Sequence, residues 1–390
     1  MTASNMSYGP ISDDDVPALE ALMGQALVMG HEWKQFWMRA TGYTNYRAVR
    51  HGERLAAGLA MFHARQYLGG RAVPVVGING VGVGPEYRGR GVGKRLMQGA
   101  LRELHAAGVA TSILYPSTLA FYRSVGFERG GTKIGYEVPL SAITLRDHTS
   151  DIVRVEPDQH DLIKQVYAQW APQIHGRLDR ANFLWEPILN PPDPPAHAYL
   201  ALRGDQSVGY IVISQGVRGE PLRVRDFCAL DRQAGHGLLT LLADHRTMIE
   251  KVAWNGSPLD PLMNLLPEQR LNAVTMMYDW VLRIVNVRAA LEARGYPRQL
   301  SAQLELEIAD DLLTDNAGRW IVQIADGRAQ VTRGGAGRIK LGVRELAAIF
   351  TGHFTPATIG EIGVIDGSDN DLALLGLVFA GPPPRQSDTF

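Results

Sequence analysis

Arg88, Gly91 and Gly93 stand in the order Arg-x-x-Gly-x-Gly, inside the stretch Val81-Gly82-Val83-Gly84-Pro85-Glu86-Tyr87-Arg88-Gly89-Arg90-Gly91-Val92-Gly93-Lys94-Arg95. A strand-like run, Val75 to Val83, stops at Gly84-Pro85, and the basic glycine-rich loop after it opens directly into helical periodicity. Backbone N–H groups at a helix start point outward unpaired, and the helix dipole adds partial positive charge there. Gly89, Gly91 and Gly93 let a ligand come close to the backbone, while Arg88, Arg90, Lys94 and Arg95 surround the same point. Such a loop holds a pyrophosphate. A kinase-type phosphate loop needs Ser or Thr after Gly-Lys, and here Arg95 follows Lys94; the dinucleotide pattern Gly-x-Gly-x-x-Gly fails at Lys94 and at Leu96. The competing reading is an ordinary glycine-rich helix start, with Arg90 and Arg95 as solvated surface charges.

The second chemical candidate is Tyr122, in Phe121-Tyr122-Arg123-Ser124-Val125-Gly126-Phe127. Between the two lie the elements that must position them. A helix from Gly91 to Ala107 carries Val92, Leu96, Ala100, Leu101 and Leu104 on one face, and Gly108 ends it. Thr111 to Tyr115 reads as a strand. Pro116-Ser117 starts a short helix with Ser117 as its N-cap, and Gly126 closes it. A tyrosine so placed can equally be a core residue packed under a strand.

Aromatic-Tyr-x-x-x-Gly-Phe, one strand after Arg-x-x-Gly-x-Gly, resembles the paired signatures of the GCN5-related N-acetyltransferases, which bind acetyl-coenzyme A. Composition bounds that reading without opposing it. The 390 residues leave room for two or three domains, and a net charge of −1 gives no global field for nucleic acid or an anionic membrane. The one cysteine, Cys228, rules out an internal disulfide framework and fits a reducing cytoplasm; its apolar neighbours suit a buried, inert thiol. No apolar run approaches about 18 residues, so neither a signal peptide nor a membrane span is expected. His31-Glu32-Trp33-Lys34-Gln35 lacks the second histidine of a zinc motif, and no metal is expected.

Three segments follow one another. Residues 1–148 carry both motifs in an α+β order around a mixed sheet, with Asp13-Asp14-Asp15 before a first helix and a hairpin at His51-Gly52-Glu53. Residues 149–285 repeat that order through a hairpin at Gly204-Asp205, but their turn Asp231–Gly237 lacks the phosphate pattern, as in a degenerate copy without coenzyme. Residues 286–390 differ: Leu304–Ile308 and Trp320–Ile324 alternate as strands, and Val343–Phe350 reads as an amphipathic helix. The terminal Gly381-Pro382-Pro383-Pro384-Arg385-Gln386-Ser387-Asp388-Thr389-Phe390 would ordinarily be disordered, yet three prolines form a stiff spacer of about 3.1 Å per residue.

Together these segments resemble the enhanced-intracellular-survival (Eis) type of acetyltransferase, most specifically at Val81 to Gly93, Ser117 to Phe127, Val281 to Tyr296 and Phe390. The resemblance implies an α+β protein of two tandem acetyltransferase-like domains, mixed central sheets flanked by helices, and a sterol-carrier-protein-like α/β domain. It implies acetyl-CoA as co-substrate, with Val81 and Val83 facing the pantetheine and Arg88, Gly89, Gly91 and Gly93 on the pyrophosphate. Tyr122 would be the general acid, Ser117 a polar neighbour of the thiol end, and the carboxylate of Phe390 the general base in the active site. Hexamers are implied too. The expected acceptor is a small primary amine, polyamine-like or aminoglycoside-like, and Asp388 is the nearest acid in the tail. Trp33 and Phe36, with His31, Glu32 and Trp37, could line its pocket, although aromatic residues at helical spacing more often serve the core. A protein lysine or N-terminal acetyltransferase, and a non-enzymatic carrier of an apolar ligand, are the alternatives.

Overall fold

His51-Gly52-Glu53 does turn a hairpin, with Gly52 at φ +61°, between the strands Tyr46–His51 and Arg54–Leu68. The computed structural model describes residues 5–27, 30–266, 273–361 and 364–390. They form two compact units that do not follow chain order: the first holds the described residues up to Gly130, Trp280–Pro382 and Phe390, the second Gly131–Asp279 and Pro383–Thr389. His31 has its backbone described within the helix His31–Thr41, and nothing further is assigned to it.

In the first unit the sheet runs Met6–Pro10, Tyr46–His51, Arg54–Leu68, Arg71–Val83, Thr111–Leu114 and then the end of Ala273–Ile284. All neighbours are antiparallel except Arg71–Val83 with Thr111–Leu114, whose parallel pairing covers Val75–Gly77 against Thr111–Ile113. Beyond Gly77, the stretch Ile78–Val83 keeps its antiparallel neighbour alone, so the two central strands part. The register against Arg54–Leu68 shifts between Gly58 and Ala60, where Gly80 (φ +58°) and Val81 oppose the single residue Leu59. Such a bulge bends its strand and strengthens the local twist. The helix Val92–Ala106 buries Val92, Leu96, Met97, Ala100, Leu101 and Leu104 on this sheet, which is the face read from the sequence with Met97 added. One detail differs. The short helix is Leu119–Arg123 and its N-cap is Thr118, so Ser117 lies one residue outside and is free for another role.

The same unit includes a second sheet, ordered Arg328–Arg333, Gly318–Ala325, Ala302–Ala309, Ile339–Gly342 and Ile365–Asp366. Leu304, Leu306 and Ile308 are buried in alternation with Glu305 and Glu307, as their period of two requires. The helix Val343–Phe350 is buried at every position but Arg344, so it is a core helix rather than the one-faced helix expected.

The second unit orders its strands Asp151–Val155, Ala196–Arg203, Gln206–Ser214, Leu222–Ala229, Lys251–Gly256 and then Gly131–Pro139. Here too one pair is parallel, Leu222–Val224 against Val252–Trp254, and its last strand is antiparallel. The two sheets therefore share a topology, and each is finished by a strand from the other repeat: Val281–Ile284 beside Thr111–Leu114, and Ile134–Pro139 beside Lys251–Gly256.

Candidate active site

The glycine-rich loop is built by backbone features. Gly84 donates its N–H to the Ala56 carbonyl and accepts from Tyr87 N at 2.8 Å, which ends the strand in a single turn with the Tyr87 ring buried. Gly89 (φ +70°) and Gly91 (φ +75°) are left-handed, a conformation that costs a residue with a Cβ about 1–2 kcal/mol. Gly91 is the N-cap of Val92–Ala106, and no side chain caps that helix. Gly93 is small for a different reason, since a Cβ there would stand 3.2 Å from Val83 and 3.4 Å from Phe121.

Gly89, Gly91 and Gly93 line one cleft of about 500 Å³, together with Val81, Val83, Arg88, Lys94, Ser117 and Tyr122. The sequence thus placed the cleft, but not all of its charges. Arg88 and Lys94 are on it; Arg90 and Arg95 lie on a neighbouring pocket beside Met6, whose carbonyl accepts from Arg95 Nη2 at 2.6 Å. Ala26, Phe121 and Ser124 also line the cleft and were not anticipated. Nothing in an alanine near the end of the first helix signals that role.

Tyr122 is buried, edge-on to Phe121 and Phe127 with ring centres 4.9 and 6.0 Å away. Burial pushes its phenol up to about 12, and a hydrogen bond from Ser117 works against that shift. The phenol is therefore a permanent donor at neutral pH. Its helix is pinned at its C-terminal end. Arg123 binds Glu128 at 2.7 Å, and the same carboxylate takes Arg344 at 2.8 Å. Burial raises Glu128, but the two arginines outweigh it and hold the carboxyl below its usual range. Arg283, fully buried against Asp310 at 2.7 Å, donates Nε to the Val125 carbonyl.

Phe390 sits where the central strands part. Its ring centre is 5.0 Å from that of Phe62 and 5.1 Å from that of Tyr115. Phe62 pairs with Gly77, the last residue of the parallel pairing, and a Cβ at Gly77 would fall 2.0 Å from its ring. Trp33 and Phe36 are half-buried on His31–Thr41, their rings 5.6 Å apart and edge-on; neither lines the cleft of Arg88 and Tyr122. Asp388 is not an open acidic group for a cationic acceptor: it is buried and bound to Arg180. Cys228 is fully buried and its thiol is pushed well up by that burial. In the second unit the matching helix, Arg232–Asp244, is stoppered by the Asp231 carboxylate, which accepts from Ala234 N at 2.9 Å and pairs with Arg203. A carboxylate in that place repels the anion that Gly91 leaves room for. Among the described residues no group of three His, Cys, Asp or Glu side chains is placed to hold a metal ion, and no helix is long and apolar enough to cross a membrane.

Residues 7–130 and 176–284 match acetyltransferase (GNAT) domain families, and residues 287–386 match a sterol carrier protein domain. N-acetyltransferase Eis of Mycobacterium tuberculosis is 26% identical over 400 residues, spanning 96% of this chain and 97% of its own. A GCN5-related N-acetyltransferase from Kribbella flavida superposes with a TM-score of 0.88 at 25% identity, over 100% of both chains. Another, from Anabaena variabilis, reaches a TM-score of 0.95 at 35% identity, over 99% of this chain and 100% of its own. With its two mixed-sheet repeats and its sterol-carrier-like sheet, the chain belongs to the GCN5-related N-acetyltransferases, is a homologue of Eis, and is an acyltransferase.

Proposed function

We propose that the protein transfers an acetyl group from acetyl-CoA directly to a primary amine of a small, polyamine-like or aminoglycoside-like acceptor. The observation that carries this reading is the single cleft that joins Arg88, Gly89, Gly91 and Gly93 at one end to Ser117 and Tyr122 at the other. The glycines and Arg88 take the pyrophosphate, the backbone of Val81 and Val83 takes the pantetheine, and the thioester lies beside Tyr122. The amine nitrogen attacks the carbonyl carbon, the C–S bond breaks, and the thiolate takes the Tyr122 proton, with Ser117 supporting the phenolate.

The base is the carboxylate of Phe390. With a usual pKa near 3.5, it cannot strip a free ammonium whose pKa is near 10. It instead orients a neutral amine, and receives the proton once the N–C bond has formed and the nitrogen has turned acidic. Trp33 and Phe36 flank the acceptor. The chain is read as three sequence domains, 1–148, 149–285 and 286–390, cytoplasmic and assembled as a homo-oligomer of hexameric size, which light scattering checks.

Free-thiol release from acetyl-CoA, screened against polyamines, aminoglycosides and a lysine peptide, tests the reaction. Small-amine turnover that vanishes when Phe390 is deleted, and also when one glycine is appended after it, supports both transfer and base. Turnover with the peptide alone would move the assignment to a protein acetyltransferase. Tight retention of an apolar ligand without any turnover would favour a carrier.

A further inference from the structure

The second unit lacks the glycine-rich basic loop of the first, yet it contains a fully buried charge network, and that network is directed at the tail. Arg180 and Asp388 are paired at 2.6 Å with side chains 1% and 2% exposed. Another edge of the guanidinium takes Asp226 at 2.5 Å, and Tyr210 donates its hydroxyl to that same carboxylate. The planar group is stacked on Tyr167 and Trp185, at 4.0 and 4.5 Å from the ring centres. Arginine is the residue for this place, because a lysine offers neither the fork nor the flat face.

The neighbours of Asp388 are held as well. Arg385 donates its N–H to the His175 carbonyl at 2.7 Å, and Gly176 clears the way, since a Cβ there would stand 2.6 Å from that nitrogen. Arg177 donates to the Ser387 hydroxyl. Lys133 Nζ donates to Thr389 Oγ1 at 2.6 Å and reaches the Asp388 carbonyl at 3.4 Å. Gln386 is fully buried, and its side-chain oxygen accepts from Asp388 N. A proline-led tail that only needed to be out of the way would not set Arg385, Ser387, Asp388 and Thr389 each against a polar partner outside the tail.

We infer that the second unit is a binding module whose ligand is the chain's own tail, and that Arg180 and Asp388 are positioning residues for the carboxylate of Phe390. The inference deepens the proposed reaction and rests on Phe390 being its base. Asp388 is two residues from the terminus, so the buried ion pair leaves the terminal residue a tether of about 7 Å. Displacing a reacting group by about 1 Å costs on the order of 10²-fold in rate.

The test uses the full chain and two readouts. Carboxypeptidase digestion, followed by intact mass, measures release of Phe390; thiol release measures kcat and KM. Asp388→Asn keeps the shape and removes the charge. The expected result is release of Phe390 at least about tenfold faster than in wild type, a kcat lowered toward the 10²-fold limit, and an unchanged KM for acetyl-CoA. Added formate should restore part of the rate to Asp388→Asn and to the Phe390 deletion alike, which a merely destabilised enzyme would not show. Thr389→Val, at an exposed position, gives a milder version of both effects should Asp388→Asn fold poorly. Wild-type resistance to the peptidase in both variants overturns the inference. So does a released tail with undiminished kcat while the Phe390 deletion is inactive. A fully active Phe390 deletion overturns the base itself, and leaves the peptidase result to decide whether the tail is bound.

Discussion

Tyr122 and Lys133 carry displaced proton affinities with opposite consequences. The Tyr122 phenol stays protonated until about pH 12, so the rate of wild type should show no alkaline decline from it through pH 10. Tyr122→Phe should lower kcat by about 10²-fold and leave acetyl-CoA affinity unchanged, by thiol release and calorimetry. Burial holds Lys133 down at about 8, against about 10.4 for a free lysine, despite the attraction of Asp388. Between those two values the unfolded chain binds a proton that the folded chain does not, so stability rises with pH through that window and is flat below it. Relative to Lys133→Met, wild type should therefore gain up to about 3 kcal/mol in denaturant unfolding as pH goes from 8 to 10.4. A pH-independent difference would contradict the assignment. Tyr122 was legible because its aromatic and glycine neighbours form a spaced pattern. Lys133 was not, since its burial comes from tail residues more than 250 positions away, which no local pattern encodes.

The loop and helix from Gly84 to Ala106 are the element on which the cofactor reading stands. Gly91→Ala keeps the helix but forces a Cβ into the left-handed region, which should raise KM for acetyl-CoA several-fold and lower stability by about 1–2 kcal/mol. Arg88→Gln should weaken acetyl-CoA binding with little change in kcat; wild-type affinity by calorimetry would remove Arg88 from the phosphate site. Here the sequence was informative, because a glycine that must be left-handed and a basic residue beside it are both local demands. The limits of that reading are equally local. Arg90 and Arg95 carry the same charge as Arg88, and only the turn decides which of them faces the cleft. The helix Val343–Phe350 looked one-faced because Arg344 and Glu345 break its apolar run, yet Arg344 reaches Glu128 while Glu345 and the rest are buried.

At the scale of the molecule, the hairpins and the order of each repeat could be read, whereas the partners of Glu128–Pro139 and Ala273–Ile284 could not. A period of two fixes which face of a strand is apolar, not which strand lies beside it. The sequence domains 1–148 and 149–285 are consequently not the compact units, since each repeat gives its last strand to the other. A fragment of residues 1–148 should show no cooperative thermal transition and no acetyl-CoA binding, and co-expression with 149–390 should restore both. A cooperative melt of the lone fragment would contradict this. The exchange also sets a timetable for synthesis. Thr111–Leu114 leaves the ribosome about 170 residues before Val281–Ile284, which at cellular translation speeds is a wait on the order of ten to thirty seconds. For that interval a nascent sheet presents a bare, apolar edge to every neighbouring chain, the state most prone to mispairing. Yield of this enzyme should therefore depend on chaperone supply and on the rate of elongation, more than the stability of the finished protein would suggest.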